Sequence, residues 1–222
     1  MVRTIGILGA GRVGSAVART ALRAGYDVNI AGSGAGSDIE LLVDIVVPGA
    51  RAMSAADAVA DSDLVIVAVP LHKYRTVSPS ILAGKIVIDT INYWAPIDGR
   101  LNDFDIDVRS SSEIIRDYFP GARVVKTLNH IGYHELETDG LPAGSEHRRA
   151  LGVAGDDAAA VTVVMDIIDR LGFDPVHAGS LQTGAAFQPG TAIFGGRHSA
   201  DELQEELSRS ADTPSLSGAE RG

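Results

Sequence analysis

The sequence predicts an α/β fold, a doubly wound and mainly parallel sheet with a small C-terminal lobe, and three observations carry that prediction. Short apolar runs alternate with apolar residues at helical spacing along most of the chain, the pattern of a sheet covered by helices. One run, Leu64 to Val69, is apolar throughout and reads as a central strand buried on both faces. A glycine turn, Gly9 to Gly14, joins the first strand to the first helix.

Taken in order, Ile5, Ile7 and Leu8 make the first strand, and Val13, Val17 and Ala21 recur at helical spacing until Gly25 stops the helix. A strand is predicted at 27–30, a weak helix at 39–46, a short strand at 50–53 and a short helix at 55–59. Beyond the central strand come strands at 85–89, 123–126, 150–153 and 175–178, with helices at 112–118 and 156–171. From Ser199 the composition turns to Asp, Glu, Ser, Gln and Gly, so only a short helix at 201–207 is expected, with a mobile tail beyond Ser208.

Composition removes several function classes. The chain has 222 residues, enough for a substantial core, and no cysteine, which excludes disulfides, thiolate nucleophiles, cysteine zinc sites and iron–sulfur clusters. A total of 19 Lys and Arg against 29 Asp and Glu leaves a net charge of −10, the wrong sign for a nucleic-acid partner. No apolar stretch approaches the ~20 residues of a membrane span, and a glycine motif rather than a cleavage site follows the first strand. A soluble, cytoplasmic chain with small-molecule partners is expected; a homodimer stays open.

Gly9-Ala10-Gly11-Arg12-Val13-Gly14 fits G-x-G-x-x-G, and its place between a strand and a helix makes the fold Rossmann-type, with a dinucleotide pyrophosphate expected at the helix N-terminus. Gly9 permits the tight turn, Gly11 lets backbone approach the pyrophosphate, and Gly14 lets the helix pack against the strand. The dinucleotide-binding domain is set at 1–127, the small lobe at 128–198 and the acidic tail at 199–222. Near the end of the second strand, where an acid would grip the ribose hydroxyls of NAD, stand Gly32 and Ser33. Ser33, with Arg12 approaching from the first turn, suits the extra phosphate of NADP. No nucleophile, paired-carboxylate site or metal cage is legible, and hydride transfer between bound rings needs none of them.

Three other constellations compete for a role. His130 and His134 stand four apart, but Gly132 argues against a shared zinc-binding helix. Asn92-Tyr93-Trp94 follows the strand that ends at Asp89; Asn92 is a contact candidate, while the two aromatics either flank a planar ring or cap a core. His147-Arg148-Arg149 reads as a solvated turn or as a dock for an acidic ligand.

The glycine motif together with Val67 to Leu71, Val125 to Ile131 and Gly172 to Leu181 resembles the NADP oxidoreductases dependent on coenzyme F420, over residues 3 to about 195. The resemblance implies hydride transfer between NADP(H) and a deazaflavin, with the pyrophosphate on Gly9, Gly11 and Gly14 and the ribose phosphate at Ser33. It implies that Val69, Pro70 and Leu71 line the dinucleotide cleft. Asn129, His130 and Ile131 would lie where the two rings meet, and Leu181 would close the second cofactor's side. Both of those segments follow predicted strands, at the edge where doubly wound sheets gather ligands. The alternatives are an NADPH-dependent reductase of another acceptor, such as a flavin, a ferric chelate or a small carbonyl compound, and a non-catalytic NADPH-binding regulator.

Overall fold

A computed structural model describes residues 1–105 and 109–212. The strands are β1 (Thr4–Leu8), β2 (Asp27–Ala31), β3 (Arg51–Met53), β4 (Leu64–Val67), β5 (Ile86–Asp89), β6 (Arg123–Lys126), β7 (Ala150–Gly155) and β8 (Asp174–Gly179). The helices before β6 are α1 (Arg12–Arg23), α2 (Glu40–Val46), α3 (Ala55–Ala60), α4 (Pro79–Leu82), α5 (Ala95–Asp98), α6 (Asn102–Asp105) and α7 (Ser111–Tyr118). After it come α8 (Tyr133–Thr138), α9 (Ala158–Leu171) and α10 (Ala200–Asp212). Further 3-10 turns lie at Gly36–Asp38, Leu71–Thr76 and Leu181–Phe187.

All eight strands belong to one sheet in the order β3-β2-β1-β4-β5-β6-β7-β8. Neighbours from β3 to β6 pair in parallel, so the loops that follow them emerge along one edge. β7 reverses against β6, with Val125 opposite Gly155 and Lys126 opposite Ala154, and β8 then runs parallel to β7. The last two strands therefore end at the opposite edge from the first six.

Alternation along the inner strands divides the core between two faces. Ile5, Ile7, Ile66 and Ile88 join Val17 of α1 and Val161 of α9, whereas Leu8, Val65, Val67 and Val87 join Leu82 of α4 and Ile115 of α7. Each such side chain contributes about 1.5–3 kcal/mol on burial. β4 ends at Val67 rather than Val69 because Pro70 has no N–H to extend the ladder and restrains the residue before it. α9 starts where the Asp157 side chain accepts from the Ala160 N–H (2.8 Å) and stops at Gly172 in the left-handed region.

Two expectations need correction. The polar segment from 199 is helical as far as Asp212, because Leu203 and Leu207 share one face of α10 and enter a third core cluster with Val176, Phe187 and Ile193. The rest of the expected tail, 213–222, lies outside the described residues. Arg148 and Arg149 form neither a solvated turn nor a dock, since both are buried. Arg148 pairs with Asp169 (2.7 Å) and Asp174 (2.8 Å), and Arg149 with Asp139 (3.1 Å), fastening the β7 entry to α9, β8 and the end of α8. Among the described residues no helix is long and apolar enough to cross a membrane.

Candidate functional site

The glycine turn lies at the edge where β1, β2 and β4 end. Gly9 adopts φ +120° and donates its N–H to the Ala31 carbonyl (2.9 Å). A Cβ on Gly9 would stand 2.5 Å from the Ala68 carbonyl oxygen, and one on Gly14 would stand 1.8 Å from the Gly9 carbonyl oxygen. Both glycines are therefore demanded by the protein's own packing. Gly11 differs, because a Cβ there meets nothing within 4 Å. It is the N-cap of α1, whose first turn has no side-chain cap and no acidic residue. The start of α1 thus has no side-chain cap and open space beside its N-cap, which fits a pyrophosphate. Arg12 and Val13 are exposed beside it.

Ser33, exposed, stands just past β2, after Gly32. Within its loop the Asp38 carboxylate turns back to accept from the Ala35 N–H (2.9 Å), and a Cβ on Gly34 would lie 2.3 Å from it. After β4, Val69 is half-buried and Pro70 exposed. Leu71 is buried in the second core cluster, so it offers a ligand only backbone.

Where β5 and β6 end, the site is made of side chains. Asp89 and Lys126 are register partners and both wholly buried. Lys126 Nζ donates to Asp89 Oδ2 (3.2 Å) and to the Ile91 carbonyl, while Asp89 Oδ1 accepts from the Ile91 N–H (2.9 Å). Ser112 Oγ at the start of α7 donates to Asp89 Oδ2 (2.6 Å). One ion pair thus holds both backbone groups of Ile91. Burial pushes the Lys126 ammonium down from its ordinary value, and Asp89 opposes that shift.

The next residues carry this order across to β6. Asn92 Nδ2 donates to the Asn129 carbonyl (2.7 Å), and Asn129 Nδ2 returns to Asn92 Oδ1 (2.9 Å) and to the Phe187 carbonyl (3.0 Å). His130 Nε2 accepts from the Gly152 N–H (3.0 Å), which leaves Nδ1 to carry the proton toward Asn129 Oδ1 (3.2 Å). Burial first, then the charges of Arg149, Lys126 and His198, lowers the His130 pKa to about 3. The imidazole is therefore neutral and orients its neighbours rather than exchanging protons. Ile131 is buried in the first core cluster. His134 lies on α8, which begins only after Gly132, so the two histidines do not share a helix.

Two features set this loop apart. Leu128 takes φ +63°, a left-handed conformation that costs a non-glycine residue about 1–2 kcal/mol. The Thr127 hydroxyl oxygen beside it is buried without a hydrogen-bond partner.

Leu181 does not close this site. Because β8 runs with β7 and against β6, the chain leaves β8 at the far edge, where the Leu181 N–H donates to Asp156 Oδ1 (2.9 Å) and its side chain is wholly buried. The 3-10 segment then climbs back: a Cβ on Gly184 would lie 3.1 Å from Lys126 Cγ, and the Phe187 ring packs 4.9 Å from that of His130. Phe187, wholly buried in the third core cluster, is thus the residue of this segment that packs against His130. Asp89, Lys126, Ser112 and Phe187 were not legible as site residues; the one signal was a charge ending each of two apolar strands, Val-Ile-Asp and Val-Val-Lys.

Residues 4–93 match the family model described as NADP oxidoreductase coenzyme F420-dependent. The solved structure of the hypothetical protein SMa0349 from Sinorhizobium meliloti is similar, with 30% identity, 89% of this chain and 95% of that chain covered, and a TM-score of 0.73. A proposed F420-dependent NADP-reductase from Arthrobacter sp. FB24 shares 27% identity over 84% of this chain and 88% of that chain, at a TM-score of 0.69. The Escherichia coli (strain K12) protein YjhV is 49% identical over 54 residues, which span 24% of this chain and 39% of YjhV.

Proposed function

Since this chain belongs to the coenzyme F420-dependent NADP oxidoreductase family, and is thereby an NADP-dependent oxidoreductase, we propose that it moves hydride between NADP(H) and the deazaflavin F420. The observation that carries the nucleotide half is the open space over Gly11 at the uncapped start of α1. Gly9 and Gly14 are required by packing, whereas no contact within the chain requires Gly11, and its lack of a side chain leaves the start of α1 open to a ligand. The α1 N–H groups hold the pyrophosphate, Ser33 and Arg12 face the ribose phosphate, and Val69 and Pro70 border the path toward β5.

When bound, the nicotinamide and deazaflavin rings supply the hydride chemistry. The protein's share is alignment, because transfer needs the two carbons within ~3–3.5 Å and a misplacement of about 1 Å can lower the rate ~100-fold. Asn92 and Asn129 lock the loops after β5 and β6 to one another, the Asp89 and Lys126 pair fixes Ile91 behind them, and neutral His130 ties Asn129 to β7. Ile131 and Phe187 keep the floor apolar.

The deciding experiment follows NADPH oxidation by the purified protein with oxidised F420, beside FMN and acceptor-free controls. Loss of deazaflavin absorbance in step with NADPH consumption is expected. Turnover with FMN or another acceptor but not with F420 would replace the acceptor, and NADPH binding without any turnover would make the chain a nucleotide-binding regulator.

A further inference from the structure

A chain of aromatic rings runs from the loop after β5 to the end of α7. Tyr93, Phe104, Tyr74 and Tyr118 follow one another with centroids 5.4, 5.8 and 5.1 Å apart, so Tyr93 caps the second core cluster. Tyr118 also braces α7 against the 3-10 turn Leu71–Thr76, because its hydroxyl donates to the Arg75 carbonyl (2.7 Å). Between that turn and α7 the fold leaves a cavity of about 360 Å³, a size that takes a small molecule. Ile114 and the rings of Tyr74 and Tyr118 line it, together with the charges of Arg75, Asp103, Arg109 and Asp117. None of these residues takes part in the glycine turn or in the bonds among Asn92, Asn129 and His130.

The charges are paired, and the two pairs differ. Asp117 is used at both oxygens, Oδ2 by Arg109 and Oδ1 by Arg116 (2.9 Å). Asp103 is used at one: Oδ2 accepts from Arg75 Nη2 (2.6 Å) and from the Tyr74 hydroxyl (3.3 Å). Among the described residues no donor bonds its Oδ1, and the Arg75 fork carries more N–H groups than Asp103 takes up. Arg75 is nevertheless held in place, with its guanidinium carbon 5.2 Å from the Tyr74 ring centre and 5.5 Å from that of Tyr118. Both members of this pair are about half exposed, so a ligand can reach them.

We infer that the cavity binds a small zwitterion, an α-amino acid with an apolar side chain. Its lining holds two guanidinium groups and two carboxylates, so a lone anion or a lone cation meets as many like charges as opposite ones. A molecule bearing both signs escapes that penalty. The carboxylate and ammonium of an α-amino acid are close neighbours, as the charges of Arg75 and Asp103 are. It therefore lies antiparallel to that pair, its carboxylate on the Arg75 fork and its ammonium on Asp103 Oδ1. The apolar side chain then meets Ile114 and the tyrosine rings. The site stands apart from the hydride reaction, but α7, which forms one wall, also holds Asp89 through the Ser112 hydroxyl (2.6 Å), so the ligand bears on the helix behind the buried pair.

Calorimetry with L-leucine, isocaproate and isoamylamine separates the charges, since isocaproate is leucine without its ammonium and isoamylamine is leucine without its carboxylate. Leucine should bind with a Kd of about 1 mM or below, and each analogue at least about tenfold more weakly. Arg75→Gln and Asp103→Asn should each weaken leucine about tenfold. Tm and NADPH affinity should hold in both variants, because a half-exposed ion pair adds little to stability. Leucine that fails to bind at millimolar concentration overturns the site. Isocaproate that binds as tightly as leucine overturns the zwitterion in favour of a plain anion, and leucine affinity unchanged in both variants takes its binding away from this cavity. Each of these results leaves the NADP reading standing, since NADPH is titrated separately in every protein.

Discussion

The two halves of the site are built in opposite ways. At the ends of β1 and β2 the ligand surface is backbone: glycines, an uncapped helix start and an exposed loop carrying Ser33. At the ends of β5 and β6 it is a set of buried side chains whose polar atoms bond one another, with a strained Leu128 at the rim. A phosphate needs N–H groups within reach and nothing in the way, and the first half supplies that by leaving side chains out. The proposed alignment of two rings needs fixed loops, and the interlocked side chains of the second half would serve it.

The largest effects should come from the glycines, and they separate packing from binding. Gly14→Ala forces a Cβ to within 1.8 Å of the Gly9 carbonyl oxygen, so the turn cannot close and the protein should lose several kcal/mol of stability or fail to fold. A Cβ at Gly11 meets nothing within 4 Å, so Tm of Gly11→Val should stay within a few degrees while NADPH affinity falls below detection by calorimetry. Retained NADPH affinity in folded Gly11→Val would remove the nucleotide site from the glycine turn.

Next in size is Lys126→Met, which leaves Asp89 buried with no cation and should cost about 3–5 kcal/mol by denaturant unfolding. The double variant Lys126→Met with Asp89→Leu should recover much of that loss, because replacing both charges removes the stranded carboxylate. Its stability would return without its function: Ile91 would no longer be held, and kcat should stay low while NADPH affinity is normal. A double variant with full activity would make the pair purely structural.

The same contrast explains which parts could be read in advance. The glycine turn, the strand before it and the central run read from Leu64 to Val69 are local patterns, and each stands where its residues put it, the run ending as a strand at Val67. Local patterns carry no strand direction, however. Nothing in 150–153 announces that β7 runs against β6, and so Leu181 was placed at the ligand edge when its strand ends at the other one. The buried pair escaped for a related reason: Asp89 and Lys126 are neighbours only through strand register, 37 residues apart in sequence. Arg148 and Arg149 look like surface charge until the partners at 139, 169 and 174 are folded around them. On α10 the two leucines are few by composition but share a face, and the face is what packs.

A third prediction sharpens the buried half through pH. The His130 pKa is depressed to about 3 in the folded chain, from an ordinary value of 6.5. Above 6.5 both folded and unfolded states are neutral there, and His130 adds no pH dependence. As pH falls below that value the unfolded chain takes up a proton that the folded chain refuses, so stability drops by up to about 1.4 kcal/mol per pH unit. Unfolding free energies between pH 7.5 and 5.5 should show this slope, and His130→Gln, which can still accept from Gly152, should flatten it. Identical slopes for the two proteins would mean that His130 is reachable by solvent protons in the folded state.

The smallest expected effect tests the open half, at Ser33. An acid placed there would repel the ribose phosphate of NADP and accept from the free hydroxyls of NAD, so Ser33→Asp should move preference toward NADH. Repulsion between unit charges 4 Å apart is ~1 kcal/mol in water and ~4 kcal/mol at an intermediate effective dielectric, so a shift of about tenfold or more is expected. The loop can take the change because Ser33 is exposed and the Asp38 carboxylate is already engaged with the Ala35 N–H. Asp38→Asn is the matched control: removing that carboxylate should shift the ratio the other way, by a smaller factor, since its charge already faces a backbone donor. Steady-state kcat/KM with NADPH and NADH reads both variants. An unchanged ratio in Ser33→Asp would place the ribose phosphate elsewhere on the turn, with Arg12 as the next residue to vary; opposite shifts in the two variants would show that charge in this loop sets the choice of nucleotide.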